Sequence, residues 1–153
     1  MKRFFLLSLL VVPLVVALIS EYVFGLVPCV LCLLQRWPYY AGTFIIGMGL
    51  LTKTPSSYLA LIAFMACIFA GLISTFHMGV EYEWWEGTAK CGGQPLPDTI
   101  EEIRAHLWAA PTTKCSDPAF VFMGLSMAGW GVVYAIIAAI TSLILYIKRH
   151  ATG

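Results

Sequence analysis

A chain of 153 residues with 60% hydrophobic content, 11% charged content and a mean hydropathy of +0.86 is far more apolar than a water-soluble domain of its size. Its formal net charge of +1 supplies no basic stripe for a nucleic acid, and no run of like charges marks a disordered tail. Composition therefore points to a bilayer and away from nucleic-acid partners.

A membrane-crossing helix needs about 20 mostly apolar residues. Four segments meet that length: roughly Phe4 to Phe24, Cys29 to Leu51, Tyr58 to Met78 and Phe120 to Ile147. The first follows Lys2 and Arg3 but runs past signal-peptide length without a clear small-x-small cleavage site, and is read as a retained anchor. Lys2, Arg3, Lys53, Lys148 and Arg149 flank the termini and the 52 to 57 turn, whereas all eight acidic residues lie in the other two connections. By the positive-inside rule the termini and the Lys53 turn are expected in the cytoplasm. The Glu21 to Pro28 link and the 79 to 119 loop then face outward, which in a bacterium is the oxidising periplasm.

In the long outer loop, Ile100, Ile103 and Leu107 share one helical face, with Glu101, Glu102 and Arg104 near the other. A Thr99-x-x-Glu102 capping box opens this segment and Pro111 closes it. A short amphipathic helix resting on the membrane surface is expected, with a partner-binding helix as the alternative. No repeat or second domain is evident, so the expected fold is an all-α, four-helix transmembrane bundle forming one domain over 1–153.

Five cysteines, at 29, 32, 67, 91 and 115, are many for such a chain. Pro28-Cys29-Val30-Leu31-Cys32 falls where the second span emerges at the outer surface, and proline suits the first turn of a helix. The helix dipole and free amides there favour a thiolate, the better nucleophile. Arg36 lies one turn beyond Cys32 on the same face. An arginine inside a span costs roughly 2.5 to 3.5 kcal/mol on insertion scales, so it is either an anchor that snorkels to the headgroups or a fixed charge beside a thiolate and a reduced quinone oxygen.

Cys-x-x-Cys alone is ambiguous. Zinc needs two further ligands, and the single cysteines at 91 and 115 form no second close pair, so no metal is expected. Leu33 stands where haem attachment requires histidine, and no alternating strand and helix pattern suggests thioredoxin. Cys91 and Cys115 bracket the amphipathic segment; they read equally as a structural disulfide, contributing on the order of 3 kcal/mol, or as a second redox pair. Two outward pairs near a bilayer quinone form an electron path that neither pair suggests alone. Cys67, among Phe64, Met65, Ile68 and Phe69, reads as a small buried hydrophobe.

PCVLCLLQR at 28–36, the histidine in FHMGVEYEWW at 76–85, the cysteine in KCGG and CSDPAFVFMGLSMAGW at 115–130 resemble the DsbB family of disulfide bond formation proteins across nearly the whole chain. The resemblance implies a thiol:quinone oxidoreductase of the bacterial inner membrane. It implies that a DsbA-like partner dithiol attacks Cys91 and releases Cys115, that Cys115 attacks Cys29, and that Cys32 meets a ubiquinone or menaquinone beside Arg36 and His77. The 91 to 115 loop is compact beside that of longer relatives. A four-span scaffold with a structural loop disulfide and an enzyme resembling vitamin K epoxide reductase are the alternatives.

Overall fold

The computed structural model describes residues 2–88, 91 and 114–150. Four long helices run in chain order: α1 (Lys2–Tyr22), α2 (Val30–Leu51), α3 (Ser56–Glu81) and α4 (Met127–His150). A small antiparallel hairpin, β1 (Val121–Phe122) and β2 (Leu125–Ser126), precedes α4. The expected amphipathic helix around Thr99 to Leu107 lies outside the described residues.

Helices α1, α3 and α4 are long and apolar enough to cross a membrane. At 22 residues α2 has the length, but Gln35, Arg36, Trp37, Pro38, Tyr39 and Tyr40 in succession dilute its apolar character. Three helices rather than four thus meet both criteria, because the residues that give α2 its chemistry are the ones that lower its hydropathy. Large apolar side chains cover the outside, among them Phe44, Leu72, Ile137 and Ile140, each more than half exposed. A continuous apolar exterior of this kind belongs in lipid.

Inside, small residues set the packing. Along α3, Ala60, Ala63, Cys67, Ala70, Ser74 and His77 recur in steps of three and four, and all are buried. Ala128, Ala135, Ala138 and Ser142 repeat the pattern on α4. Small side chains let two helix backbones approach closely, and the α3–α4 pair is the most intimately packed in the molecule. Cys67 is fully buried in this seam, with Leu6, Leu10 and Ile46 completing the core from α1 and α2.

Pro13 sits inside α1, where proline removes the amide that would have bonded the carbonyl four residues earlier. That carbonyl belongs to Leu9, and the Tyr134 hydroxyl of α4 donates to it at 2.8 Å. At the other end of α4, Arg149 hydrogen-bonds Ser56, tying the last turn of α4 to the first of α3.

The hairpin turns at Met123 and Gly124, both with positive φ, the conformation of a two-residue type I′ turn. Glycine is suited to the second of these positions. The last helix consequently begins at Met127, later than the Phe120 expected from hydropathy, because Phe120 to Ser126 spend their apolar side chains on the hairpin.

Candidate active site

The site forms where the start of α2 meets the end of α3 and the start of α4. Cys29, following Pro28, has extended backbone (φ −75°, ψ 172°) and caps α2, its sulfur accepting from the Cys32 amide at 3.3 Å. The three-residue spacing brings the two sulfurs 3.1 Å apart, both as free thiols. Helix-start geometry thus presents one sulfur to the amides while the other sits one turn in.

The small-residue seam of α3 ends by delivering His77 to this pair. Its Nε2 is 3.4 Å from Cys29 Sγ, and its Nδ1 is 3.0 Å from Gln35 Nε2. One further turn along α3, Glu81 Oε1 lies 3.7 Å from His77 Nε2. His77 and Glu81 are almost completely buried, with side-chain exposures of 3% and 6%. Ser126 donates its hydroxyl to Glu81 and accepts the Gly129 amide at 3.1 Å, so the residue that caps α4 also binds the carboxylate. Cys29 and Glu81 thus both face Nε2 while Gln35 faces Nδ1, so the imidazole can exchange a proton with the thiol beside a carboxylate that favours its charged form.

Arg36 lies elsewhere on α2. Its guanidinium is paired with Glu21 of α1 and reaches the Ala17 carbonyl at 3.4 Å. The hydrogen bonds of Arg36 therefore run to α1, while the side chain touching the cysteines is His77. Arg36, Cys32, Gln35 and Tyr39 together line a cleft of about 780 Å³ between α1, α2 and α4, closed on the α4 side by Trp130 and Tyr134. Its walls are mainly apolar with a few polar groups, Glu21, Gln35 and Arg36 among them, the usual form of a small-molecule pocket. A second groove between α2 and α3, lined by Trp37, Ile45, Met65 and Phe69, is wholly apolar.

Cys91 and Cys115 form a disulfide, and both are buried in one apolar cluster with Cys29, Leu31 and Val80, against which Cys32 also packs. All four cysteines predicted for the site are therefore in one place. Thr88 Oγ1 donates to Cys91 Sγ at 3.3 Å. A Cβ on Gly87 would come 2.8 Å from Cys91 Cβ, so only glycine permits this approach.

Glu21, Gln35, Glu81 and Ser126 were not among the residues expected from sequence. Glu81 had a readable signal, since it stands four residues beyond His77 on the same helical face. Ser126 had none, because its position depends on the hairpin.

The chain matches the family described as disulfide bond formation protein DsbB over residues 2–145. The chain belongs to the DsbB family. It is 27% identical over 139 residues to disulfide bond formation protein B of Ralstonia nicotianae, covering 88% of this chain and 85% of that protein. It is 31% identical over 140 residues to the protein of the same name from Haemophilus influenzae, covering 84% and 76%. A Rickettsia prowazekii protein of uncharacterized function is 28% identical over 131 residues, covering 84% and 76%. No solved structure matches the chain. DsbB membership and three apolar helices together make this a membrane protein of disulfide bond formation.

Proposed function

We propose that this DsbB-family protein reoxidises the dithiol of a DsbA-like periplasmic partner and delivers two electrons to a membrane quinone. The observation that carries the reading is the single cluster holding both cysteine pairs, with Cys32 on the wall of a largely apolar cleft.

The sulfur chemistry balances without any outside reagent until the last step. A partner thiolate attacks Cys91, the Cys91–Cys115 bond breaks, and Cys115 leaves as thiolate. Cys115 attacks Cys29 of an oxidised Cys29–Cys32 pair and displaces the Cys32 thiolate. The partner's second thiol displaces Cys91 and the partner departs oxidised. Cys91 then attacks Cys115, restoring the loop disulfide and releasing Cys29, so two electrons now reside on Cys29 and Cys32.

A quinone bound in the cleft would supply the two-electron, two-proton acceptor that lets Cys29 and Cys32 return to the disulfide. Cys32, Gln35, Arg36 and Tyr39 are the residues that would hold it. His77 would take the proton of Cys29 as the disulfide forms, held as imidazolium beside Glu81, and then release it so that both thiol protons end on the reduced quinone. Burial keeps both protons and electrons from leaking to solvent. A purely structural role would leave this buried histidine and carboxylate beside two free thiols without use.

The proposed orientation places the termini and the Lys53 turn in the cytoplasm of a bacterial inner membrane and the four cysteines at the periplasmic side, with α2 as the fourth span of a one-domain bundle. The structure is compatible in one respect: Arg149 and Ser56 meet at the end opposite the Cys29–His77 site.

The test uses purified protein with a short-chain quinone and a reduced DsbA-like partner. Quinone absorbance is expected to fall, and Cys29→Ser or Cys32→Ser to abolish the fall; turnover in either variant overturns the mechanism. Cys115→Ser is expected to trap the partner at Cys91 as a reducible adduct. Absence of that adduct on a non-reducing gel removes Cys91 as the entry point.

A further inference from the structure

Sequence spacing argued against a metal because Cys29 and Cys32 lacked further ligands; the fold supplies one. Cys29 Sγ, Cys32 Sγ and a ring nitrogen of His77 all lie within 4.8 Å of one another, the only such group of three among the described residues. Two thiolates and an imidazole form the donor set of a tetrahedral zinc site with one open position. With zinc–sulfur bonds of about 2.3 Å and a zinc–nitrogen bond of about 2.0 Å, tetrahedral geometry sets the two sulfurs about 3.7 Å apart and sulfur and nitrogen about 3.5 Å apart. Cys29 and His77 already stand at 3.4 Å. The sulfurs, at 3.1 Å, must separate by about 0.6 Å, and Cys32 Sγ, within 4.8 Å of the His77 nitrogen, must settle about 3.5 Å from it; rotation of the Cys32 side chain in the first turn of α2 is the freedom that serves both.

We infer that the reduced Cys29–Cys32 pair and His77 together bind one zinc ion, and that the metal arrests the pair in its reduced, dithiolate form. Binding releases the protons of two thiols and transfers no electrons. While both sulfur lone pairs are held by the metal they cannot join as a disulfide, and the oxidised pair offers no thiolate. Occupancy is therefore tied to redox state: zinc selects the reduced protein, and oxidation expels it.

The surroundings are those of a ligand histidine. Gln35 holds Nδ1, and turning its amide lets the carbonyl accept an Nδ1 proton, which frees Nε2 for the metal. The two thiolates already balance the charge of the cation, and Glu81, 3.7 Å from Nε2, is a further oxygen donor near the site. None of this depends on which molecule accepts the electrons.

The experiment uses full-length protein in detergent carrying Cys91→Ser and Cys115→Ser, so that the loop cysteines bind no metal. Reduced with a phosphine that has little affinity for zinc, it is titrated with zinc against a chromophoric chelator and, separately, with cobalt(II) as a spectroscopic probe. One zinc per chain and a thiolate-to-cobalt charge-transfer band are expected, with neither after Cys29 and Cys32 are oxidised to the disulfide. His77→Ala should weaken zinc binding at least about tenfold, and His77→Cys should restore it with a stronger charge-transfer band. Binding with sub-stoichiometric zinc, or unchanged affinity and spectrum in both His77 variants, overturns the inference. If His77→Ala loses its native helical content, the His77→Cys spectrum decides: a third thiolate supports the site and an unchanged band refutes it. Quinone turnover is not measured, so failure here and failure of the oxidoreductase reading are distinguishable.

Discussion

His77 Nε2 stands 3.4 Å from Cys29 Sγ, although 48 residues separate them in the chain. Replacing His77 with glutamine keeps a hydrogen-bonding side chain of similar length but removes the group that takes up a proton. The kcat for quinone reduction should fall about 100-fold, with a smaller change in KM. Steady-state kinetics with a short-chain quinone check this, and an unchanged kcat would confine His77 to packing.

Arg36 and Glu21 are mutually paired in a partly buried setting, so each neutral variant strands the other charge. Arg36→Gln should raise the apparent KM for quinone about tenfold, the worth of roughly one charge-assisted hydrogen bond. Combining it with Glu21→Gln should recover stability, because no unpaired carboxylate remains, without recovering KM. A double-mutant cycle on thermal unfolding and on KM measures the two effects separately. Full recovery of KM would mean that Arg36 serves only as a strut between α1 and α2.

A methyl group on Gly87 would press on Cys91 from 2.8 Å and on Val80 from 3.2 Å. Gly87→Ala should therefore push the loop disulfide away from Cys29, at an overpacking cost of about 1–3 kcal/mol. Reoxidation of the partner should slow, while reoxidation of Cys29–Cys32 reduced directly by a small dithiol should keep its rate. Stopped-flow measurements of the two half-reactions discriminate, and equal slowing of both would contradict the proposed role of this contact.

Tyr134→Phe would take from the Leu9 carbonyl the hydroxyl that donates to it, where Pro13 has already removed the regular helical donor. A loss of about 1–3 kcal/mol is expected for a carbonyl left unsatisfied in an apolar setting. The unfolding midpoint in detergent should drop accordingly. Restoring the amide with Pro13→Ala should make the same Tyr134→Phe change nearly harmless.

How far the sequence announced this arrangement depended on the range of each interaction. Periodicities of three and four, runs of apolar residues and Pro28 before Cys29 are local, and they located the helices and the start of α2. Arg36 drew attention because a charge in an apolar run is conspicuous, yet its partner Glu21 lies on another helix and could not be read from spacing. Cys29 meeting His77, and Ser126 meeting Glu81, join segments 48 and 45 residues apart, so only the tertiary fold shows them. The Phe120 to Ser126 stretch misled on hydropathy alone, since a two-residue turn through Met123 and Gly124 uses the same apolar side chains as a helix would.

The Tyr134 to Leu9 bond is a clasp between α1 and α4, which otherwise barely touch. Beyond it lies the cleft, and Val12, Val16 and Phe120 among its lining residues are about half exposed on the apolar exterior. In the proposed orientation these residues look sideways into the hydrocarbon, while Glu21, Leu26 and Pro28 line the same cleft from the outer link. Under the proposed function, a molecule with a long greasy tail would turn its head inward to Cys32 while the tail stays among the acyl chains.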